Sequence, residues 1–112
     1  MGEIKQKYII FADLNPTRGH EQKGKRPVIV ISGDGYNKSG MLIICPTTTK
    51  LKNYYGNILL EPDSLNGLEK KSEILISQIR TISQNRIIKK IGEITQKELE
   101  QILYGLDALF DR

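Results

Sequence analysis

Three stretches of the chain carry side chains whose types and spacing could do chemistry. The first is DLNPTRGHEQKGKRP, Asp13 to Pro27, where Arg18, His20, Lys23, Lys25 and Arg26 supply cationic donors and Glu21 an acid. The residue before a proline is held extended, so Arg26 leaves the loop at the lip of the strand that follows. A guanidinium fixed there presents a planar fork of donors suited to a phosphate. The plainer reading is a solvated basic loop. The second stretch is CPTTTKLKNYY, Cys45 to Tyr55. Its threonine hydroxyls, Lys50 and Lys52 suit a phosphate, and Tyr54 and Tyr55 can stack on unpaired bases, each stack contributing about 1–3 kcal/mol. Threonines also favour strands and tyrosines barrel rims, so a structural reading stands beside this one. The third stretch is ISQIRTIS, Ile76 to Ser83. If it is a strand, alternation puts Gln78 and Arg80 on one face, where they could read base edges, clamp a phosphate, or simply pair with other surface groups.

Other chemistries find little support. Cys45 is the single cysteine and His20 the single histidine. They could form a nucleophile pair, but a lone cysteine inside MLIICP reads as a small buried hydrophobe. No zinc motif is possible with these counts, and the carboxylates are scattered, so neither metal nor other cofactor is expected.

These groups need a scaffold. Short apolar runs rich in β-branched residues cover Tyr8–Leu14, Val28–Ser32, Met41–Pro46, Asn57–Glu61, Ile74–Ile79 and Arg86–Ile91. Each has strand length and is bounded by turn residues. SGDGYNKSG reads as a glycine-rich connection with one short helical turn, and PDSLNGLEKKS as a loop. The pattern predicts a mostly β fold, a small barrel or strongly bent antiparallel sheet. The end of the chain differs. In ITQKELEQILYGLDALF, Leu99, Ile102, Leu103, Leu106, Leu109 and Phe110 recur at helical spacing and form a core-facing stripe. Thr95 and Glu98 fit a capping box, with Ile94 and Leu99 at the staple positions. Gly105 either weakens this helix or marks close packing. The Asp13–Pro27 loop is much longer than a usual hairpin connection, and such loops tend to be functional or disordered. Gly19 and Gly24 permit unusual backbone angles within it.

With 112 residues, 38% hydrophobic and 27% charged, the chain reads as one soluble domain spanning 1–112. No run approaches a membrane span, and the N-terminus lacks a secretory pattern, so a cytoplasmic protein is expected. A net charge of +4 mildly favours polyanions or acidic partners.

Taken together, the stretches resemble the MazF/PemK family of bacterial toxin ribonucleases, over nearly the whole chain. ADLNPTRGHEQKGKRPVIVIS is similar to the family's first block, with Glu-Gln, a glycine, Arg-Pro and a β-branched strand. Tyr36-Asn37 fits the following turn, CPTTT its Pro-x-Thr, SQIRTIS its Gln-x-Arg block, and KIGEITQKELEQILYGLDALF its closing strand and helix. Three departures stand out. Lys7-Tyr8 replaces a common Gly-Asp. His20 occupies a position that is serine in many members, although the PemK branch has histidine. Leu75 and Ser77 stand where the PemK branch places an Arg and an Asp, so the MazF branch is the better match.

The resemblance implies an SH3-like small barrel, usually a homodimer, that cuts single-stranded RNA at short sequences without metal. It implies neutralisation by a cognate antitoxin whose acidic, partly disordered tail crosses the RNA site, with DNA reached only through that antitoxin. Carried over by position, Arg26 and Thr48 are the catalytic pair, and Glu21, Gln22, Gln78 and Arg80 surround the site. RNA contacts are further expected from Arg18, Lys25, Lys50, Lys52 and Tyr54. The implied reaction is attack by the substrate's 2′-OH, giving a 2′,3′-cyclic phosphate and a 5′-OH. Arg26 suits charge stabilisation and Thr48 hydrogen bonding. Glu21 and His20 remain alternative bases, histidine being favoured only by its ordinary pKa near neutrality. Two rival readings of the barrel are a gyrase-trapping toxin of the CcdB type and a non-catalytic RNA-binding module.

Overall fold

Each apolar run of the sequence finds a partner strand, and every pairing is antiparallel. The computed structural model describes residues 2–16, 19, 21 and 23–110. In chain order they form β1 (Tyr8–Asp13), β2 (Lys25–Val30), α1 (Asp34–Asn37), β3 (Met41–Thr48), β4 (Ile58–Leu60), β5 (Ser72–Ile74), β6 (Arg80–Ser83), β7 (Ile87–Glu93) and α2 (Gln96–Leu109). The strands run in the order β4-β5-β3-β2-β1-β7, with β6 on β3 beside that path. β3 is the pivot. One edge carries β2, and the other carries β6 along Met41–Ile44 and β5 along Thr47–Thr48. Two strands sharing one edge of β3 bend the sheet. The mostly β architecture with a C-terminal helix is as the sequence predicts.

Side-chain alternation divides the core between the two faces of the sheet. Ile9, Ile29 and Cys45 face one side, while Ile10, Val28, Val30 and Ile44 face the other. Both faces are covered, so the central strands read as unbroken apolar runs rather than as alternating ones. Each isoleucine taken fully out of water here contributes about 1.5–3 kcal/mol. Leu99 and Ile102 of α2 close the first side.

The start of α2 is fixed as the sequence predicts. Thr95 Oγ1 accepts from Glu98 N at 3.1 Å, and Glu98 Oε1 accepts from Thr95 N at 2.8 Å. Its apolar stripe needs correction: Leu103 and Phe110 are exposed, as is Tyr104. Gly105 does mark close packing, although against a loop and a turn rather than a strand. An added Cβ would lie 2.8 Å from both Gly56 O and Ile76 Cδ1.

The largest difference concerns the run expected as one strand, Ile74–Ile79. β5 ends at Ile74, a 3-10 turn covers Ile76–Gln78, and β6 begins at Arg80. The turn carries the chain from the β5 segment of β3's edge to the β6 segment. Gln78 and Arg80 therefore do not share a strand face.

Candidate active site

Arg26 is the second residue of β2, opposite Ala12 of β1. Continuing the β2–β3 register of Val28 with Pro46 places Pro27 opposite Thr47. Ladder bonds alternate along an antiparallel pair, and the Ile31 N to Ile43 O bond puts Pro27 at a bonded position. Proline has no N–H to offer, so Thr47 O needs another donor. Arg26 Nη1 supplies it at 3.0 Å. Arg26 Nε and Nη2 donate to Lys23 O at 3.0 and 2.7 Å. Among the described residues, those contacts use three of the five guanidinium N–H groups, leaving one on each terminal nitrogen for a ligand. Thr47 Oγ1 in turn donates to Pro27 O at 2.7 Å. Burial lowers the pKa of Arg26 from its ordinary value, although a guanidinium still carries its charge at neutral pH.

Thr48 ends β3 and is buried. Its Oγ1 accepts from Lys50 N at 3.1 Å, which turns the chain and leaves the hydroxyl proton to donate. Arg26 and Thr48 open onto one cleft of about 330 Å³, lined also by Glu21, Lys23, Thr49, Lys50 and Lys52. Two faces of a phosphate could be met there by cationic and hydroxyl donors, with a carboxylate beside them. A larger cleft of about 540 Å³ begins at Thr49 and runs between Phe11, Leu68 and Ile91, with Lys70, Lys89 and Lys90 on its walls. It contains neither Arg26 nor Thr48.

The loop that carries Lys50, Lys52 and Tyr54 is held from below. Glu73 of β5 is fully buried and stands opposite Thr48. Its carboxylate accepts from the backbone N–H of Lys52 (2.5 Å), Asn53 (2.9 Å) and Tyr54 (3.2 Å), and from Asn57 Nδ2 at 2.6 Å. Asn53 has φ 53°, and that left-handed residue lets successive N–H groups converge on one anion. Desolvation alone would raise this carboxyl's pKa. The bonds from Asn57, Asn53, Lys52 and Tyr54 outweigh it and hold the group below its usual range.

The other expected site residues are dispersed. Lys25 lies in a separate cleft with Asp13, Asn15 and Arg86. Arg80 Nη1 donates to Leu14 O at 3.5 Å, and Arg86 Nη1 donates to Asp13 O at 3.2 Å and to Asn15 O. Those arginines fasten the base of the long loop, which is closed by Leu14 N to Gly24 O at 3.0 Å. Gly19 and Gly24 take φ values of +60° and +82°. Gln78 sits half-buried in the 3-10 turn. Tyr54 is exposed, with Lys52 Nζ 5.8 Å from its ring centre. Arg18, His20 and Gln22 lie outside the described residues. Cys45 is buried and its thiol is pushed up to about 12, which removes it as a nucleophile. Among the described residues, no group of three His, Cys, Asp or Glu could hold a metal ion.

The family model described as PemK-like, MazF-like toxin of type II toxin-antitoxin system matches residues 5–110. The chain belongs to this family. Among PemK/MazF-like relatives, the endoribonuclease MazF of Staphylococcus saprophyticus is 34% identical over 101 residues, covering 88% of this chain and 84% of the relative. The crystal structure of MazF from Deinococcus radiodurans has the same fold, with a TM-score of 0.86 at 24% identity over 100% of both chains. A MazE-MazF structure from that organism gives 0.79 at 26% identity, over 98% of this chain and 97% of the other.

Within this PemK/MazF-like chain, the three threonines of CPTTT stand out in the sequence as a group, whereas Glu73 does not. A signal for Glu73 was present: one acid inside the apolar run SEILI, where an ionised side chain is rarely buried without a purpose.

Proposed function

We propose that this family member is a sequence-specific, metal-independent endoribonuclease acting on single-stranded RNA. The observation that carries this reading is the convergence of Arg26, Thr48 and Glu21 in one lysine-lined cleft. The substrate's 2′-oxygen attacks the adjacent phosphorus and its proton passes to a base. The bond from phosphorus to the 5′-oxygen breaks, and that oxygen takes up a proton. The products are a 2′,3′-cyclic phosphate and a 5′-OH. Arg26 directs its remaining N–H groups at the phosphoryl oxygens, where preorganised donors act most strongly on developing charge. Its lowered pKa also eases proton donation to the departing oxygen. Thr48 donates to a phosphoryl oxygen. Glu21 is the carboxylate on the cleft wall, so it is our choice of base over His20. DNA lacks the attacking hydroxyl and resists.

A cognate antitoxin is the second partner, since a relative is seen in a MazE-MazF structure, and the same lysines suit an acidic tail. The exposed Leu103, Tyr104 and Phe110 suit pairing of two copies, and an RNA substrate fits a cytoplasmic protein. The test is digestion of single-stranded RNA in EDTA. Wild type should cut, while folded Arg26→Ala and Thr48→Ala should cut much more slowly. If both variants cut at the wild-type rate, the assignment is wrong.

A further inference from the structure

We propose that Glu73 is a positioning residue whose buried carboxylate shapes the 49–57 loop and thereby sets which bases beside the cut are accepted. This rests on the RNA-cleaving reading of the Arg26 cleft. The carboxylate is fully buried, and among the described residues no cation pairs with it. Among the described residues its charge is met by N–H groups alone: three in succession from Lys52, Asn53 and Tyr54, and one from Asn57. Asn57 Oδ1 passes the connection on by accepting from Ile76 N at 3.0 Å. The loop is thus tied both to β5 and to the turn after it.

The arrangement asks for an ionised acid and nothing else. Four donors converge, and only a carboxylate offers acceptors in every direction. A glutamine would turn its own N–H₂ toward backbone N–H groups. Burying an unpaired carboxylate is costly, so the same loop could be held more cheaply by apolar packing. What the carboxylate adds is one defined path for the backbone. Thr49, Lys50 and Lys52 on that path form a wall of the Arg26 cleft, and Tyr54 stands exposed beyond them. Glu73 itself is absent from the cleft lining and acts through the loop. Arg26 is held independently, by Lys23 and Thr47, so loosening the loop should change selection among sequences more than the chemical step.

The experiment compares wild type, Glu73→Gln and Asn57→Ala on a mixed single-stranded RNA pool, with cut sites mapped by sequencing the new 5′ ends. Ile10→Val, in the opposite core cluster, controls for a general loss of stability. In both loop variants, preference for the best site over sites changed by one flanking base should fall about 10- to 100-fold, up to what a 1 Å misplacement can cost. KM should rise more than kcat falls, and amide exchange at Lys52, Asn53 and Tyr54 should quicken, while Ile10→Val keeps the wild-type pattern. Should Glu73→Gln fail to fold, Asn57→Ala carries the comparison. If wild type cuts selectively and folded loop variants keep the same site spectrum, the role assigned to Glu73 is wrong and the RNA-cleaving reading stands. If wild type does not cut, that reading falls and this one with it.

Discussion

Arg26 Nη1 donates to the carbonyl oxygen of Thr47 at 3.0 Å, filling the place that an N–H of residue 27 would take in the sheet. The proline after Arg26 does more than hold it extended. By withholding a ladder donor it leaves a strand carbonyl for the guanidinium and ties the group to the strand that ends in Thr48. A Pro27→Ala variant restores the N–H and sets it in competition with Arg26 for Thr47 O. Cleavage should fall about tenfold, less than the 10²-fold that a full 1 Å displacement can cost, with the fold retained. Single-turnover rates with circular dichroism would check this, and an unchanged rate would contradict it.

Removing the pair directly should cost more. Arg26→Ala should lower the cleavage rate about 10²–10³-fold, as loss of a preorganised charge-stabilising donor does. Thr48→Ala should lower it about 10–100-fold, the equivalent of one hydrogen bond to a charged oxygen. Arg26→Lys should rescue little, because one ammonium cannot serve Lys23 O, Thr47 O and a phosphate together. Glu21→Gln should lower the rate about 10²–10⁴-fold, as loss of a general base does; if only His20→Gln does so, the base is His20.

Lys50 and Lys52 offer a separate handle through salt. Each alanine substitution should weaken binding of a single-stranded RNA with a 2′-deoxy group at the cut. Each should also make the slope of log affinity against log salt shallower by about 0.7. Titrations at several salt concentrations would measure it, and an unaltered slope would remove that lysine from the RNA path.

Two stability predictions follow from the packing. Gly105→Ala gains about 1 kcal/mol of helix propensity, but its Cβ would meet Gly56 O and Ile76 Cδ1 at 2.8 Å. Overpacking of this kind costs about 1–3 kcal/mol, so the variant should be no more stable than wild type in urea and should be less stable if the backbone cannot give. Glu73 should make stability depend on pH. Its folded pKa is depressed, so its contribution is present above the unfolded carboxyl value of about 4.3. It is lost as pH falls from there through the folded value. The stability gap between wild type and Glu73→Gln should therefore be wide at pH 7 and narrow on acidification. A gap constant down to pH 3 would contradict the account.

The sequence made the local features plain and the tertiary ones obscure. The capping box of Thr95 and Glu98, the extended Arg26 and the buried Cys45 depend on near neighbours, and their residue types announce them. The break between β5 and β6 was hidden because Ile74, Leu75 and Ile76 are all buried; the 3-10 turn stays apolar and mimics a continuing strand. The cations of the first loop are divided by tertiary structure as well. Lys25 and Arg26 are adjacent, yet strand alternation sends them to different clefts. Arg80 resembles a substrate-clamping residue by type, but it fastens Leu14 O at the loop base. The hold of Glu73 on residues about 20 positions away is a contact no local pattern encodes.

Attack by the substrate's own 2′-OH in the Arg26–Thr48 cleft makes cleavage depend on one hydroxyl of the RNA. The most direct test maps the preferred site in a mixed RNA pool in EDTA. A short RNA bearing that site is then offered intact and with a single 2′-deoxy sugar at the cut position. The account predicts cleavage of the first to a 2′,3′-cyclic phosphate and a 5′-OH, with the second left whole. Cutting of the deoxy-substituted strand, or products with 5′-phosphate ends, would contradict it.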